Sequence, residues 1–200
     1  MLYGIIAVVI SYLLGSVAFS IVIAKYVKGI DIRKHGSGNA GATNTLRVLG
    51  TGPAIAVISL DIAKGIAAVW IGHGLSGDNE WIPVLCGLAS IVGHNWPIWF
   101  HFKGGKGIAT TIGVLATLAF LPALYAGIIA ILSIVFTRYV SLGSLLFVAL
   151  TPIFIGSFFY TPQLLTISII ICIFAFVRHR SNIVKLMKGT ENKLGAKKGK

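Results

Sequence analysis

The stretch "IATTIGVLATLAFLPALYAGIIAILSIVFT", residues 108–137, decides how the chain is read, because its 30 positions hold no charged side chain. As one helix rising about 1.5 Å per residue it would reach about 45 Å, well beyond a hydrocarbon core of about 30 Å. Two spans turning at Pro122 resolve the excess. The uncharged run 140–177 divides in the same way at Pro162.

Working outward from that division, seven apolar segments are expected to span: Leu2–Ala24, Pro53–Gly74, Trp81–Phe102, Ile108–Leu121, Ala123–Thr137, Val140–Tyr160 and Leu164–Val177. None alternates apolar and polar residues as a barrel strand of about 10 residues would. With 56% hydrophobic and 11% charged residues and a mean hydropathy of +0.90, a soluble globular domain is excluded. The expected fold is an all-α integral membrane protein of seven transmembrane helices. Residues 1–200 form one membrane-embedded domain, with a basic tail from about 189.

Charge asymmetry orients the spans. With the N-terminus outside and the C-terminus cytoplasmic, Lys25, Lys28, Arg33, Lys34, Arg47, Lys103, Lys106, Arg138 and the eight basic residues from Arg178 to Lys200 share one side. Lys64 alone lies within a span. The opposite side receives Asp78 and Glu80. The positive-inside rule thus accounts for most of the net charge of +12, and nucleic acid is not an expected partner. The basic tail reads as a solvated end near anionic headgroups. The first span is long and its basic flank follows it, so it reads as an anchor and not a signal peptide. Cys86 and Cys172 fall inside spans and act as small apolar side chains.

Four polar stretches collect on the cytoplasmic side: 31–50, 102–111, 141–144 and 178–191. The first contains Gly36-Ser37-Gly38-Asn39-Ala40-Gly41, a formal G-x-G-x-x-G. A dinucleotide site would need a βαβ unit around it, and here a membrane helix precedes it. The glycines can still turn backbone N–H groups toward one anion as a nest. Beyond them, Thr43 or Asn44 can cap a short helix that places Thr43 and Arg47 four apart on one face. Ser37, Thr43 and Arg47 together suit a phosphate, although a tight turn with an orienting arginine would have the same spacing.

The second stretch carries Lys103-Gly104-Gly105-Lys106-Gly107 into a helix at Ile108, so that backbone donors, a helix dipole and two ammonium groups converge. This predicts a second anion site. It is not a Walker A loop, since no Ser or Thr follows Lys106. His94 and His101 have no third ligand at metal spacing, and no metal or cofactor is expected. Trp96, Trp99 and Phe100 suit an interfacial belt. In the last stretch His179 and Asn182 stand one helical turn apart. Asp61 and Lys64, at i and i+3 inside the second span, can satisfy each other. His73 and Asp78 spell H-x4-D, the acid–base pair of one large class of acyltransferases, but on the outer side, and the match reads as coincidence.

"SYLLGSVAFSIVIAK", "DIRKHGSGNAGATNTLRVLG", "LDIAKG", "GHNWPIWFHFKGGKGIAT", "RYVSLGS" and "RHRSNI" resemble, in order, the segments of the bacterial acyl-phosphate:glycerol-3-phosphate acyltransferases of the PlsY type. The resemblance covers nearly the whole chain. It implies a seven-span enzyme of the inner membrane that acylates the 1-hydroxyl of sn-glycerol 3-phosphate from acyl phosphate, giving lysophosphatidic acid and phosphate. It further implies a site lined by Ser37, Thr43, Arg47, Lys106, Ser144, His179 and Asn182. Ser37, Arg47, Lys106, His179 and Asn182 are the expected catalytic residues. Gly38, Asn39, Gly41, Thr43, Asn44, Gly104, Gly105, Gly107 and Ser144 are expected to bind substrate. A monomer among membrane lipids is the working expectation.

Two readings of the proton's destination stand open: His179, or the donor's own phosphate with His179 and Asn182 orienting the acceptor. The resemblance favours the second. Two rival functions also stand: an organic-phosphate transporter, which would place its substrate near the midplane, and an acyltransferase that uses acyl-CoA.

Overall fold

The computed structural model describes residues 2–75, 77–158 and 160–195, and every regular element among them is helical. The chain forms two compact units, Met1–Leu118 and Ala119–Lys200. The end of the basic tail, 196–200, lies outside the described residues.

The first unit contains α1 (Leu2–Gly15), α2 (Phe19–Lys28), α3 (Ala42–Leu49), α4 (Thr51–Leu75), α5 (Trp81–Asn95) and α6 (Ile108–Leu118). The first expected span is broken: α1 stops at Gly15 and α2 begins at Phe19, continuing to Lys28 beyond the expected end at Ala24. Gly29, at φ 68°, closes α2 in the left-handed conformation by donating its N–H to the carbonyls of Ala24 and Lys25. The expected span Trp81–Phe102 ends as a helix at Asn95. Pro97 cannot donate a helical hydrogen bond, so the chain turns out through a short 3-10 segment at Ile98–Phe100.

The second unit contains α7 (Phe120–Thr137), α8 (Val140–Phe158), α9 (Pro162–Arg178) and α10 (Arg180–Met187). The run 108–137 does divide, at Ala119 and not at Pro122. Proline lacks an N–H that a first helical turn does not need, so Pro122 sits inside the start of α7 and the break falls upstream of it. Pro162 opens α9 for the same reason. Helices α9 and α10 meet at His179 with a bend of 64°.

Among the described residues four segments are long and apolar enough to cross a bilayer: Leu2–Lys28, Thr51–Leu75, Phe120–Thr137 and Val140–Phe158. The bent pair α9 and α10 makes a fifth if counted as one.

Lipid supplies no hydrophobic drive between helices, so close approach at small residues does the work. A side chain at Gly15 would strike the backbone of Ser90, and one at Gly93 the carbonyl of Tyr12, which sets how near α1 and α5 lie. Gly65 meets Thr110 O and Gly113 meets Ile62 O between α4 and α6. In the second unit Gly143 of α8 faces Ala130 and Ile134 of α7.

The broken first span needs its own partner, because irregular backbone at membrane depth must be satisfied within the protein. Lys64 of α4 provides it. Its ammonium donates to Val17 O in the break at 2.8 Å, pairs with Asp61 at 2.8 Å and lies 3.0 Å from His94 Nδ1. All three side chains are buried.

Gly93→Val should lower the unfolding midpoint in detergent by the equivalent of about 1–3 kcal/mol through overpacking. Gly127→Ala, where nothing lies within 4 Å of the added methyl, should be neutral or stabilising by about 0.5–1 kcal/mol. Equal effects at the two sites would refute close helix approach at Gly93.

Candidate active site

The first polar loop, residues 29–41, rests on a small apolar core in which Ile32 and Ala40 are buried against Ala18, Ile21 and Ala24. Above it Gly36 and Gly38 take φ of 62° and 75°, a left-handed backbone that favours glycine. The N–H groups of this turn are largely engaged internally: Ser37 N donates to Asn44 Oδ1 at 2.8 Å, Gly38 N to His35 O and Gly41 N to Asn39 O. The expected nest is therefore only partly a set of donors for an anion. Its glycines shape a loop that leaves Ser37 and Gly38 exposed and Asn39 half-buried.

Asn44 builds that loop. Its buried amide donates to Ile32 O at 3.2 Å and His35 O at 3.0 Å while accepting from Ser37. The expected cap at Thr43 or Asn44 is corrected: Gly41, in extended conformation, is the residue before α3, and no side chain caps it. Thr43 and Arg47 do share the helix at i and i+4, Thr43 half-buried and Arg47 exposed.

The second loop begins with two consecutive non-glycine residues in the left-handed region, His101 at φ 56° and Phe102 at φ 57°. Such positions store on the order of 1–3 kcal/mol each and persist only where the surroundings enforce them. Here Phe102 N and Phe100 N both donate to Pro97 O. Gly105 N donates to His94 O at 3.1 Å, and Gly107, at φ 82°, starts α6 by accepting from Thr111 N. A side chain at Gly104 would strike His94 O and Pro97. One at Gly105 would strike both His94 Nε2 and Ala40 O.

Gly105 is thus where the two loops meet. Arg33 fastens them a second time: its Nη1 donates to Phe100 O at 3.0 Å and Lys103 O at 3.4 Å. Asp31 holds the other edge of that guanidinium, accepting from Nη2 at 2.8 Å and from Nε at 2.9 and 3.1 Å. Those hydrogen bonds hold the Asp31 carboxyl at about 2, below its ordinary range, against the opposing effect of partial burial. Sequence reasoning missed this clamp because Arg33 looked like one more positive-inside marker. The only signal was its i+2 spacing from Asp31.

In the second unit His179 lies at the bend, buried, with Nδ1 2.8 Å from Ala175 O. A carbonyl only accepts, so Nδ1 carries the proton and in the neutral ring Nε2 is the acceptor. Asn182 follows on α10 and donates through Nδ2 to Glu191 Oε1 at 2.8 Å, another contact the sequence did not reveal. Ser144 is buried in α8 and returns its hydroxyl to Val140 O at 2.9 Å. Among the described residues no group of three or more His, Cys, Asp or Glu is placed to share a metal ion.

Fold and loops define an all-helical integral membrane protein with paired, cationic, glycine-rich loops at the ends of its helices. The family model for glycerol-3-phosphate acyltransferase matches residues 5–189. The chain is 59% identical to the glycerol-3-phosphate acyltransferase of Shouchella clausii, across 98% of this chain and 99% of that one. It is 58% identical to that of Halalkalibacterium halodurans, across 98% and 97%. It superposes with a TM-score of 0.91 and 38% identity on PlsY (YgiH), an integral membrane glycerol 3-phosphate acyltransferase, in its glycerol 3-phosphate form, covering 96% of each chain. The lysophosphatidic acid form of that protein gives 0.88 at the same identity, over 96% and 95%. The chain belongs to the glycerol-3-phosphate acyltransferase family.

The depressed Asp31 carboxyl fixes the sign of an acid effect. A folded value below the unfolded one of about 3.9 stabilises fully above about pH 4, and that contribution is lost as pH falls through about 2. The midpoint difference between wild type and Asp31→Asn should therefore be constant near neutrality and close between about pH 4 and pH 2. A difference that persists at the acid end would contradict the Arg33 clamp.

Proposed function

We propose that the chain transfers a fatty acyl group from acyl phosphate to the 1-hydroxyl of sn-glycerol 3-phosphate, releasing lysophosphatidic acid and phosphate, as the first acylation of phospholipid synthesis. The observation that carries this reading is the pair of cationic loops joined at Gly105, because donor and acceptor each bring a phosphate. Arg47 and Lys106 offset the repulsion between the two phosphates and stabilise charge that develops during transfer. Ser37, Thr43 and Asn39 hold phosphate oxygens. Gly38, Gly41, Gly104, Gly105 and Gly107 act through backbone shape and close approach, and Asn44 acts by fixing the Ser37 turn.

The chemistry asks little of the protein. The acceptor oxygen attacks the acyl carbon, the bond from that carbon to the phosphate oxygen breaks, and phosphate leaves with the electron pair. An acyl phosphate is an activated anhydride, so orientation supplies most of the acceleration. The hydroxyl proton goes to the donor phosphate. His179, through Nε2, and Asn182 and Ser144 orient the acceptor. Support for this division comes from the carboxylates Asp31 and Glu191, which are engaged with Arg33 and Asn182.

The proposed topology is seven spans in the cytoplasmic (inner) membrane, with the N-terminus outside, the C-terminus and active site facing the cytoplasm, and residues 1–200 acting as one monomeric domain. Helices α5 and α6 cross as short spans of about 22 and 16 Å by rise. Two features support it. Arg33 ties the 29–41 loop to the 96–107 segment, whereas Tyr3, Leu75, Gly77 and Asn79 line a pocket where the N-terminus of α1 meets the turn after α4. The basic loops then share one side.

Detergent-purified protein given labelled glycerol 3-phosphate should form lysophosphatidic acid from palmitoyl phosphate and not from palmitoyl-CoA. Product from the CoA donor alone would overturn the donor. No product with either donor, together with uptake of the label into vesicles, would bring the transporter forward. His179→Gln should lower turnover without removing a limb of the pH–rate profile near 6.5; loss of that limb would make His179 the base.

A further inference from the structure

Lys64 is a donor only, and its ammonium lies 2.8 Å from Val17 O, 2.8 Å from Asp61 Oδ1 and 3.0 Å from His94 Nδ1. Asp61 Oδ1 also lies 3.4 Å from the same ring nitrogen, so both members of the pair border Nδ1 and the Nε2 edge of the imidazole faces away from them. That edge of the ring lies against Gly105, at the point where Ala40 O of the first loop also arrives. The main chain of the same residue holds the second loop directly, through the bond from Gly105 N to His94 O. His94 is 4% exposed, and Asp61 and Lys64 are 1% and 3% exposed, so solvent does not compete for these contacts.

A merely structural ion pair has no need of the third member. Asp61 and Lys64 stand at i and i+3 on α4 and could neutralise each other in place. Instead the ammonium reaches across to α5, and the imidazole it grips lies directly behind the loop that carries Lys106. We propose that Asp61, Lys64 and His94 form a buried positioning unit, in which the ion pair fixes the His94 ring and the ring fixes Gly105 and thereby the Lys103–Gly107 loop. The inference rests on the phosphate-binding reading of that loop. His94 touches no reacting atom in this scheme. It is a positioning residue, and its loss loosens the loop while the helices stay assembled.

His94→Asn tests this, because the Asn Oδ1 can still accept from Lys64 while the ring edge behind Gly105 is gone. Two readouts are needed. In substrate-free protein, the amides of Gly104–Gly107 should exchange with deuterium about tenfold faster, with helix α4 unchanged. In turnover, the KM for glycerol 3-phosphate or for acyl phosphate should rise about tenfold or more while kcat changes less, since a misplaced binding loop costs that order of rate. His94→Gln, which keeps a polar atom near the Nε2 position and gives up the Nδ1 contact with the pair, should show the same direction and replaces the Asn variant if that one does not purify folded. Wild-type exchange in the loop, or wild-type KM values with faster exchange, would overturn the proposal. Wild-type protein that forms no product would overturn the acyltransfer reading instead, and the exchange measurement would still decide this one.

Discussion

One buried ammonium organises the first half of this molecule. Lys64 sits within a membrane helix and holds a carboxylate on its own helix, an imidazole on a second and a backbone carbonyl at the break in a third. Each contact answers a cost that lipid would otherwise impose. An unpaired Asp61 would be a buried charge worth several kcal/mol of destabilisation, and an orphaned carbonyl at the α1–α2 break would lack the water that satisfies such groups in a soluble protein. The Phe19 ring, 5.5 Å from the ammonium, covers it further. Just beyond the break, Ala18, Ile21 and Ala24 form the floor on which the first loop rests.

From that floor upward the two loops are braced by internal hydrogen bonds. Backbone hydrogen bonds, the Asn44 amide and the Arg33–Asp31 clamp fix the backbone of the two loops. Such bracing suits the proposed acyl transfer, in which two phosphates are held close against their repulsion.

Much of this was legible in the sequence, and the exceptions have physical causes. Hydropathy located the helices, since transfer to lipid dominates every other term there. It did not locate the break at Ser16–Ala18, whose partner is a lysine 47 residues later. Pro122 marked the right region and the wrong residue, because a proline is tolerated in a first helical turn. The glycine clusters and the i, i+4 pairing of Thr43 and Arg47 could be read directly. The use of the loop's own N–H groups could not, because it depends on Asn44 folding back across the turn. Arg33 and Glu191 were invisible for a similar reason: a charge near a membrane surface has an ordinary explanation, and only three-dimensional contact gives it a particular one.

The central claim is that the two loops are a phosphate site, and equilibrium binding without a donor tests it most directly. Titrating glycerol 3-phosphate and glycerol into wild type, Arg47→Ala and Lys106→Ala should show binding of the phosphate ester far tighter than of glycerol. At least one variant should weaken that binding about tenfold or more, as expected when a charge-assisted contact to phosphate is lost. Equal affinity for glycerol and its phosphate, or wild-type affinity in both variants, would contradict the account.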